Sequence, residues 1–181
     1  MDYESRPLIT GSDSSAPPLD PHIAAVFGHF RPARYDHIRP ATRCTILRHP
    51  VDTLISIYFF WKTCPRHANP VHDKFLAESP TLESFAKYEG IRRLMSQTYF
   101  GGYDIRQFDF VGFYEHLDED LDSLGTLLGM DLDPKVHANK TETGWAERDQ
   151  IFADRKRLRT VESYLEDDIA FYEAALARRN R

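Results

Sequence analysis

Thr42-Arg-Cys-Thr-Ile-Leu-Arg-His-Pro-Val-Asp-Thr-Leu-Ile-Ser-Ile-Tyr-Phe-Phe-Trp61 sets the reading of the whole chain. Cys44 to Leu47 has the β-branched and apolar content of a short strand, and Arg48 and His49 make a polar corner. Pro50 suits a first helical position, where its fixed φ helps and its missing N–H costs nothing. Asp52 falls in the first turn, at the positive end of the helix dipole. Val51, Leu54, Ile55, Tyr58 and Trp61 then recur at helical spacing and form an apolar face. A strand running into a helix with an arginine at the corner is a good anion site. Backbone N–H groups and the dipole favour negative charge there, and a guanidinium grips phosphate oxygens in pairs.

On either side of this stretch the sequence reads in order. Residues 1–22 are polar and turn-forming, with Gly11-Ser-Asp-Ser-Ser15 and Ala16-Pro-Pro18, and predict a flexible N-terminal arm ahead of one domain over 23–181. Ile23 to Phe30 predicts a short strand, Arg31 to Pro40 a basic loop bounded by prolines. Cys64 to Pro80, with three prolines and two histidines, reads as irregular. Leu82, Phe85 and Tyr88 mark a helix capped by Thr81 or Ser84, and a second helical piece covers Ile91 to Tyr99. Gly101-Gly102 ends it. Phe108 to Tyr114 predicts a strand, and Asp118 to Leu128 an amphipathic helix stopped at Gly129. Met130 to Gly144 reads as loop, and Glu147 to Arg179 as mostly helix with Tyr164, Leu165, Ile169, Tyr172 and Leu176 facing inward. Strands alternating with helices predict parallel pairing and a layered α/β fold. The acidic run Asp118–Asp122 and the basic run Arg155–Arg159 read as solvated helix faces.

The bulk properties narrow the function classes. The chain has 181 residues, enough for one domain with a real core. Its net charge of −5 argues against a general nucleic-acid or anionic-membrane binder. Clustering of the 23 Lys and Arg around one cleft would still allow a polyanionic acceptor. Cys44 and Cys64 form neither a metal spacing nor a disulfide framework, and read as buried thiols of a reducing compartment. No apolar run is long enough to cross a membrane, and the first residues lack the pattern of a secretory signal. A soluble cytoplasmic protein is expected. None of the eight histidines shows the paired spacing of a zinc site, so no metal is expected.

Arg48-x-Pro50 followed on the same helix by Ser56 resembles the 3′-phosphate-binding motif of sulfotransferases that use 3′-phosphoadenosine 5′-phosphosulfate (PAPS). The likeness is to the glycan-type branch that includes the heparan sulfate 2-O-sulfotransferases. Gly28-His29-Phe30 resembles the segment carrying that branch's catalytic histidine, and Phe110-Val-Gly-Phe-Tyr-Glu115 a later core strand. Asn139-Lys-Thr-Glu142 with Phe171-Tyr172 resembles the C-terminal nucleotide loop and closing helix. The resemblance covers roughly residues 23–176. It implies a P-loop NTPase-like fold with three layers, a mostly parallel sheet flanked by helices. It implies His29 as general base, and Arg48, Ser56, Lys140 and Thr141 as nucleotide contacts. The cofactor it implies is PAPS, with adenosine 3′,5′-bisphosphate as product and a carbohydrate or other small hydroxyl acceptor.

Each residue also has a plainer reading. Arg48 can pair with a carboxylate at a strand end, Ser56 can cap a local carbonyl, His29 can donate to a carbonyl, and Lys140 can be surface. Arg31, Arg34 and Arg39 can meet an acidic sugar or simply be surface charge. Gln97 and Tyr99, in the Met95–Asp109 segment, could face the acceptor but are not counted among the site residues. One departure from the family is large. Its first strand leads into a loop of the form Pro-Lys-x-Gly-Thr-Thr that holds the 5′-phosphosulfate. Here Lys62 is the first lysine, and Leu8-Ile-Thr-Gly-Ser12 has neither lysine nor tandem hydroxyls. Two readings stay open: the C-terminal part of a longer enzyme, truncated at its first strand, or a catalytically incomplete binding or scaffold domain. Both predict an exposed sheet edge that a second copy could cover, giving a homodimer.

Overall fold

A computed structural model describes residues 2–4, 22, 25–66, 69–133 and 144–179. The architecture is mixed α/β. Two short strands, β1 (Asp2–Glu4) and β2 (Val26–Gly28), pair in parallel with Glu4 opposite Gly28. A second parallel pair joins β3 (Cys44–Leu47) to β4 (Phe110–Phe113), with Cys44 opposite Phe110 and Leu47 opposite Phe113. Among the described residues the two pairs are separate. The single mostly parallel sheet expected as the middle of three layers is thus two two-stranded ribbons. Strands of three and four residues offer few ladder bonds, so helices carry most of the packing.

The order of the remaining elements is α1 (Pro50–Thr63), α2 (Pro70–Glu78), α3 (Leu82–Ala86), α4 (Glu89–Arg92), a π-turn (Leu94–Tyr99), β4, α5 (Leu117–Leu128), α6 (Trp145–Ala153), α7 (Arg155–Tyr164) and α8 (Glu166–Arg179). Helix α1 begins at Pro50 with Asp52 in its first turn, as the sequence predicts, and buries Val51, Leu54, Ile55, Tyr58, Phe59 and Trp61. Helix α2 corrects the reading of Cys64–Pro80 as irregular. Asn69 caps it, its side-chain oxygen accepting from Val71 N at 2.9 Å, and Pro70 occupies the first helical position. The prolines flank a helix and do not break one.

Trp61, Phe75, Phe85 and Tyr88 interlock inside the larger core, with Phe75 and Phe85 ring centroids 5.0 Å apart at 71°. Edge-to-face pairs of this kind add roughly 0.5–1.5 kcal/mol each beyond area burial. Ile151 on α6, Val161 on α7 and Leu165 between α7 and α8 close this core. A second core lies against the β3–β4 ribbon and holds Leu47, Met95, Phe100, Ile105, Phe113, Tyr172 and Ala175.

The acidic run at the start of α5 is only partly a solvated face. Asp120 is buried and accepts from Phe113 N at 2.6 Å, and Arg179 donates to it at 3.0 Å. Likewise Arg157, in the basic run, pairs with Glu83. Among the described residues no helix is long and apolar enough to cross a membrane.

Candidate functional site

The β3–β4 register builds the corner. Because Leu47 lies opposite Phe113 in a parallel pair, the next residues, Arg48 and Tyr114, leave the carboxyl ends of adjacent strands together. The Arg48 guanidinium sits over the Tyr114 ring, 4.7 Å from its centroid. Among the described residues Arg48 has no carboxylate partner, so the plainer reading of a strand-end ion pair does not hold here. Tyr114 is half exposed, which leaves this cation–π pair at the surface.

A carboxylate already occupies part of the positive end of α1. Glu115 accepts from His49 N at 2.7 Å through one oxygen and from the Tyr172 hydroxyl at 3.0 Å through the other. The His49 ring meets Tyr172 edge to face, with centroids 5.4 Å apart. Burial pushes the Tyr172 phenol up, and the charges of Glu115 and Asp52 push it further in the same direction. Two carboxylates therefore bear on the end of α1 that faces Arg48. An incoming phosphate meets one guanidinium and this negative background.

Ser56 lies on α1 one turn beyond Asp52, on the partly exposed side of the helix. Among the described residues its hydroxyl forms no hydrogen bond, so it is not spent on a local carbonyl. Thr53, in the same stretch, instead donates back to the Arg48 carbonyl at 3.3 Å. Arg48 and Ser56 thus belong to one strand–helix unit, with Arg48 at its corner and Ser56 on the half-exposed flank.

His29 follows β2 directly, at the carboxyl end of that ribbon. Its ring stacks on Tyr99, with centroids 5.4 Å apart and planes 26° from parallel. Tyr99 closes the π-turn and lines a cavity of about 20 Å³ together with Pro50, Thr53, Met95 and Asp168. That space holds about one water molecule and no nucleotide. His29 is therefore linked to the first turn of α1 through Tyr99, and among the described residues no contact joins it to Arg48. Burial raises the Tyr99 phenol to about 12. A larger open depression of about 450 Å³, between α5 and Met130–Leu132, includes none of the candidate residues.

Asp168 fixes the turn that presents Tyr99. It is buried and accepts from Met95 N and Ser96 N, both at 2.8 Å, and from the Ser96 hydroxyl at 2.6 Å. Burial pushes its carboxyl up, against the lowering effect of those three donors. Beside the turn, Arg31 packs its stem on Gly101, where an added Cβ would stand 3.2 Å from Arg31 Cδ. The Tyr103 hydroxyl donates to Asp36 at 2.7 Å, so the 31–36 segment is held against the 99–103 segment.

Lys140 and Thr141 lie outside the described residues. Cys44 and Cys64 are free thiols, half-buried where the sequence predicts buried ones, and that burial pushes both up. His72, 3.5 Å from Cys64 Sγ, also bonds the Trp61 carbonyl at 3.2 Å inside the core. That pair is core packing, not an activated nucleophile. Among the described residues no three His, Cys, Asp or Glu side chains are grouped to hold a metal ion.

Sequence reasoning missed Tyr114, Asp168 and Tyr99 as site-building residues, and gave Glu115 and Tyr172 no individual role. The strand-end position of Tyr114 was a usable signal, since a parallel ribbon sets neighbouring carboxyl ends side by side. The bonds of Glu115 and Asp168 span 57 to 73 residues and leave no local pattern. The chain has been compared with protein-family models, with curated proteins and with solved structures, and none of them matches.

Proposed function

We propose that the chain binds the 3′-phosphate of a PAPS-type nucleotide at the Arg48 corner and serves sulfuryl transfer to a hydroxyl acceptor. The fold in this reading is a reduced P-loop NTPase-like sulfotransferase fold, with β3, the Arg48 corner and α1 as its phosphate-binding unit. The observation that supports it is a half-buried guanidinium at the carboxyl end of a parallel strand, with no carboxylate partner among the described residues, beside a helix start. Arg48 donates to the 3′-phosphate, and the unspent hydroxyl of Ser56 adds a second donor. Lys140 and Thr141 complete the nucleotide contacts.

In the transfer step the acceptor oxygen attacks sulfur while the bond between sulfur and the 5′-phosphate oxygen breaks. The electron pair leaves on adenosine 3′,5′-bisphosphate, and an imidazole nitrogen of His29 takes the acceptor proton. A homodimer formed over an exposed strand edge is compatible with this chemistry. The test is calorimetric titration of adenosine 3′,5′-bisphosphate into the protein and into Arg48→Ala. Binding that is lost in the variant supports the reading, and no binding to either removes it.

A second reading, a sulfotransferase-like binding or scaffold domain without catalysis, is favoured by the Glu115 carboxylate on His49 N. An anion site whose first amide is already bonded to a carboxylate binds phosphate weakly. Nucleotide binding without transfer of labelled sulfate to any sugar or phenol acceptor distinguishes this case.

A further inference from the structure

Helix α8 carries a straight stripe of residues at 168, 172, 175 and 179, spaced by three and four, which places them on one face. Asp168 holds the π-turn through Met95 N, Ser96 N and the Ser96 hydroxyl, and that turn presents Tyr99 to His29. One turn along, Tyr172 donates to Glu115, whose other oxygen takes His49 N beside Arg48. Ala175 is buried against the β3–β4 ribbon, and Arg179 reaches Asp120, which in turn holds Phe113 N.

The two halves of the candidate site share no direct contact among the described residues, yet one face of one helix grips both. We propose that Asp168 and Tyr172 are separate positioning residues, Asp168 setting His29 through Tyr99 and Tyr172 setting the Arg48 corner through Glu115. The inference rests on the proposed nucleotide reading for its Tyr172 arm. Neither residue touches the reacting atoms. A rigid helix fixes the spacing between them at one turn, about 6 Å along the surface. The spacing between base and phosphate grip is set by α8, because among the described residues the two strand pairs that carry them are not bonded to each other.

The test uses two readouts that general loosening of the fold would move together. The first is the ring-proton resonances of His29 in solution NMR, which carry the shielding of the stacked Tyr99 ring. The second is the affinity for adenosine 3′,5′-bisphosphate. Asp168→Asn, with Ser96→Ala as the milder variant should the first fail to fold, is expected to move the His29 resonances toward unstacked values. Tyr99→Leu gives the fully unstacked reference. Nucleotide affinity should stay within about twofold of wild type in Asp168→Asn and Ser96→Ala. Tyr172→Phe should do the reverse, changing nucleotide affinity about fivefold as it frees Glu115 at the His49 amide, with His29 unmoved. Wild-type binding with both readouts changed in every variant, or in none, overturns the positioning roles and leaves the nucleotide reading standing. No binding to the wild-type protein overturns the nucleotide reading and the proposal with it.

Discussion

The Arg48 guanidinium lies 4.7 Å from the centre of the Tyr114 ring, and the parallel register that pairs Leu47 with Phe113 is what brings them together. The stack presents the guanidinium at the carboxyl end of the β3–β4 ribbon, with no carboxylate partner among the described residues. It holds the guanidinium head over the ring, and two-point recognition of phosphate needs a positioned fork.

Arg48→Lys separates charge from geometry. A lysine keeps the positive charge but cannot make two parallel bonds or stack flat on Tyr114. Charge-assisted bonds contribute roughly 1.5–3 kcal/mol, so Arg48→Ala should weaken adenosine 3′,5′-bisphosphate by roughly 10- to 100-fold. Arg48→Lys should recover less than half of that loss on a logarithmic scale. Calorimetry on the three proteins reads the difference, and full recovery by lysine would show that only charge matters at this corner.

Phe85 tests the packing account independently of function. It is fully buried, and its ring meets Trp61, Phe75 and Tyr88 at centroid distances of 5.3, 5.0 and 5.5 Å. Phe85→Ala should cost about 3–5 kcal/mol in urea unfolding, the range for deleting a buried ring. A cost under about 1 kcal/mol, below the range for any large core truncation, would contradict the core as described.

Gly125 tests how α5 ends. Met130 N closes back on the Gly125 carbonyl at 2.9 Å, and a Cβ on Gly125 would stand 2.6 Å from the Met130 carbonyl oxygen. Backbone cannot swing aside as a side chain does, so Gly125→Ala should destabilise by about 1–3 kcal/mol, although alanine is the better helix former. A variant as stable as the parent by thermal melting would show that the Gly129–Met130 turn is not packed this closely.

Tyr99 and Tyr103 give a pH signature. Burial is the first cause for both and raises each from 10.0 to about 12, with Asp36 adding to the effect at Tyr103. The unfolded chain loses these protons first as pH rises, so the folded state holds more protons between the two values. Stability from these groups is fully present below pH 10 and falls as pH climbs through about 12. Absorbance titration at alkaline pH should show the late-ionising tyrosines, and Tyr103→Phe should remove one of them. Ionisation of all nine tyrosines near the ordinary value would contradict the burial of Tyr99.

Local chemistry made part of this molecule readable from its residues. Cys44–Leu47 as strand, Pro50 as helix start and Gly129 as helix stop each follow from one residue's own preference, and the structure agrees at all three. Helix α2 was written locally too, in Asn69-Pro70, but three prolines in the segment masked the capping signal. Separation of the strands into two pairs was not readable, because it depends on which edges helices cover and not on strand content. The candidate site divides the same way. Arg48 was named from the strand–helix corner, and His29 and Ser56 from the family resemblance, whereas the bonds of Glu115, Asp168 and Tyr172 join distant parts of the chain and exist only after folding. Their residue types, carboxylates and a tyrosine on helices, are those of any solvated surface.

The central claim is that Arg48 and Ser56 recognise a phosphate on the 3′ position of an adenosine nucleotide. The most direct measurement compares adenosine 3′,5′-bisphosphate with adenosine 5′-phosphate, which lacks only that group, by calorimetry on the wild-type protein and on Arg48→Ala with Ser56→Ala. The wild-type protein should prefer the bisphosphate by at least about tenfold, the worth of one charge-assisted bond, and the double variant should lose the preference. Equal affinity of the wild-type protein for the two nucleotides, or a preference that survives both substitutions, would contradict it.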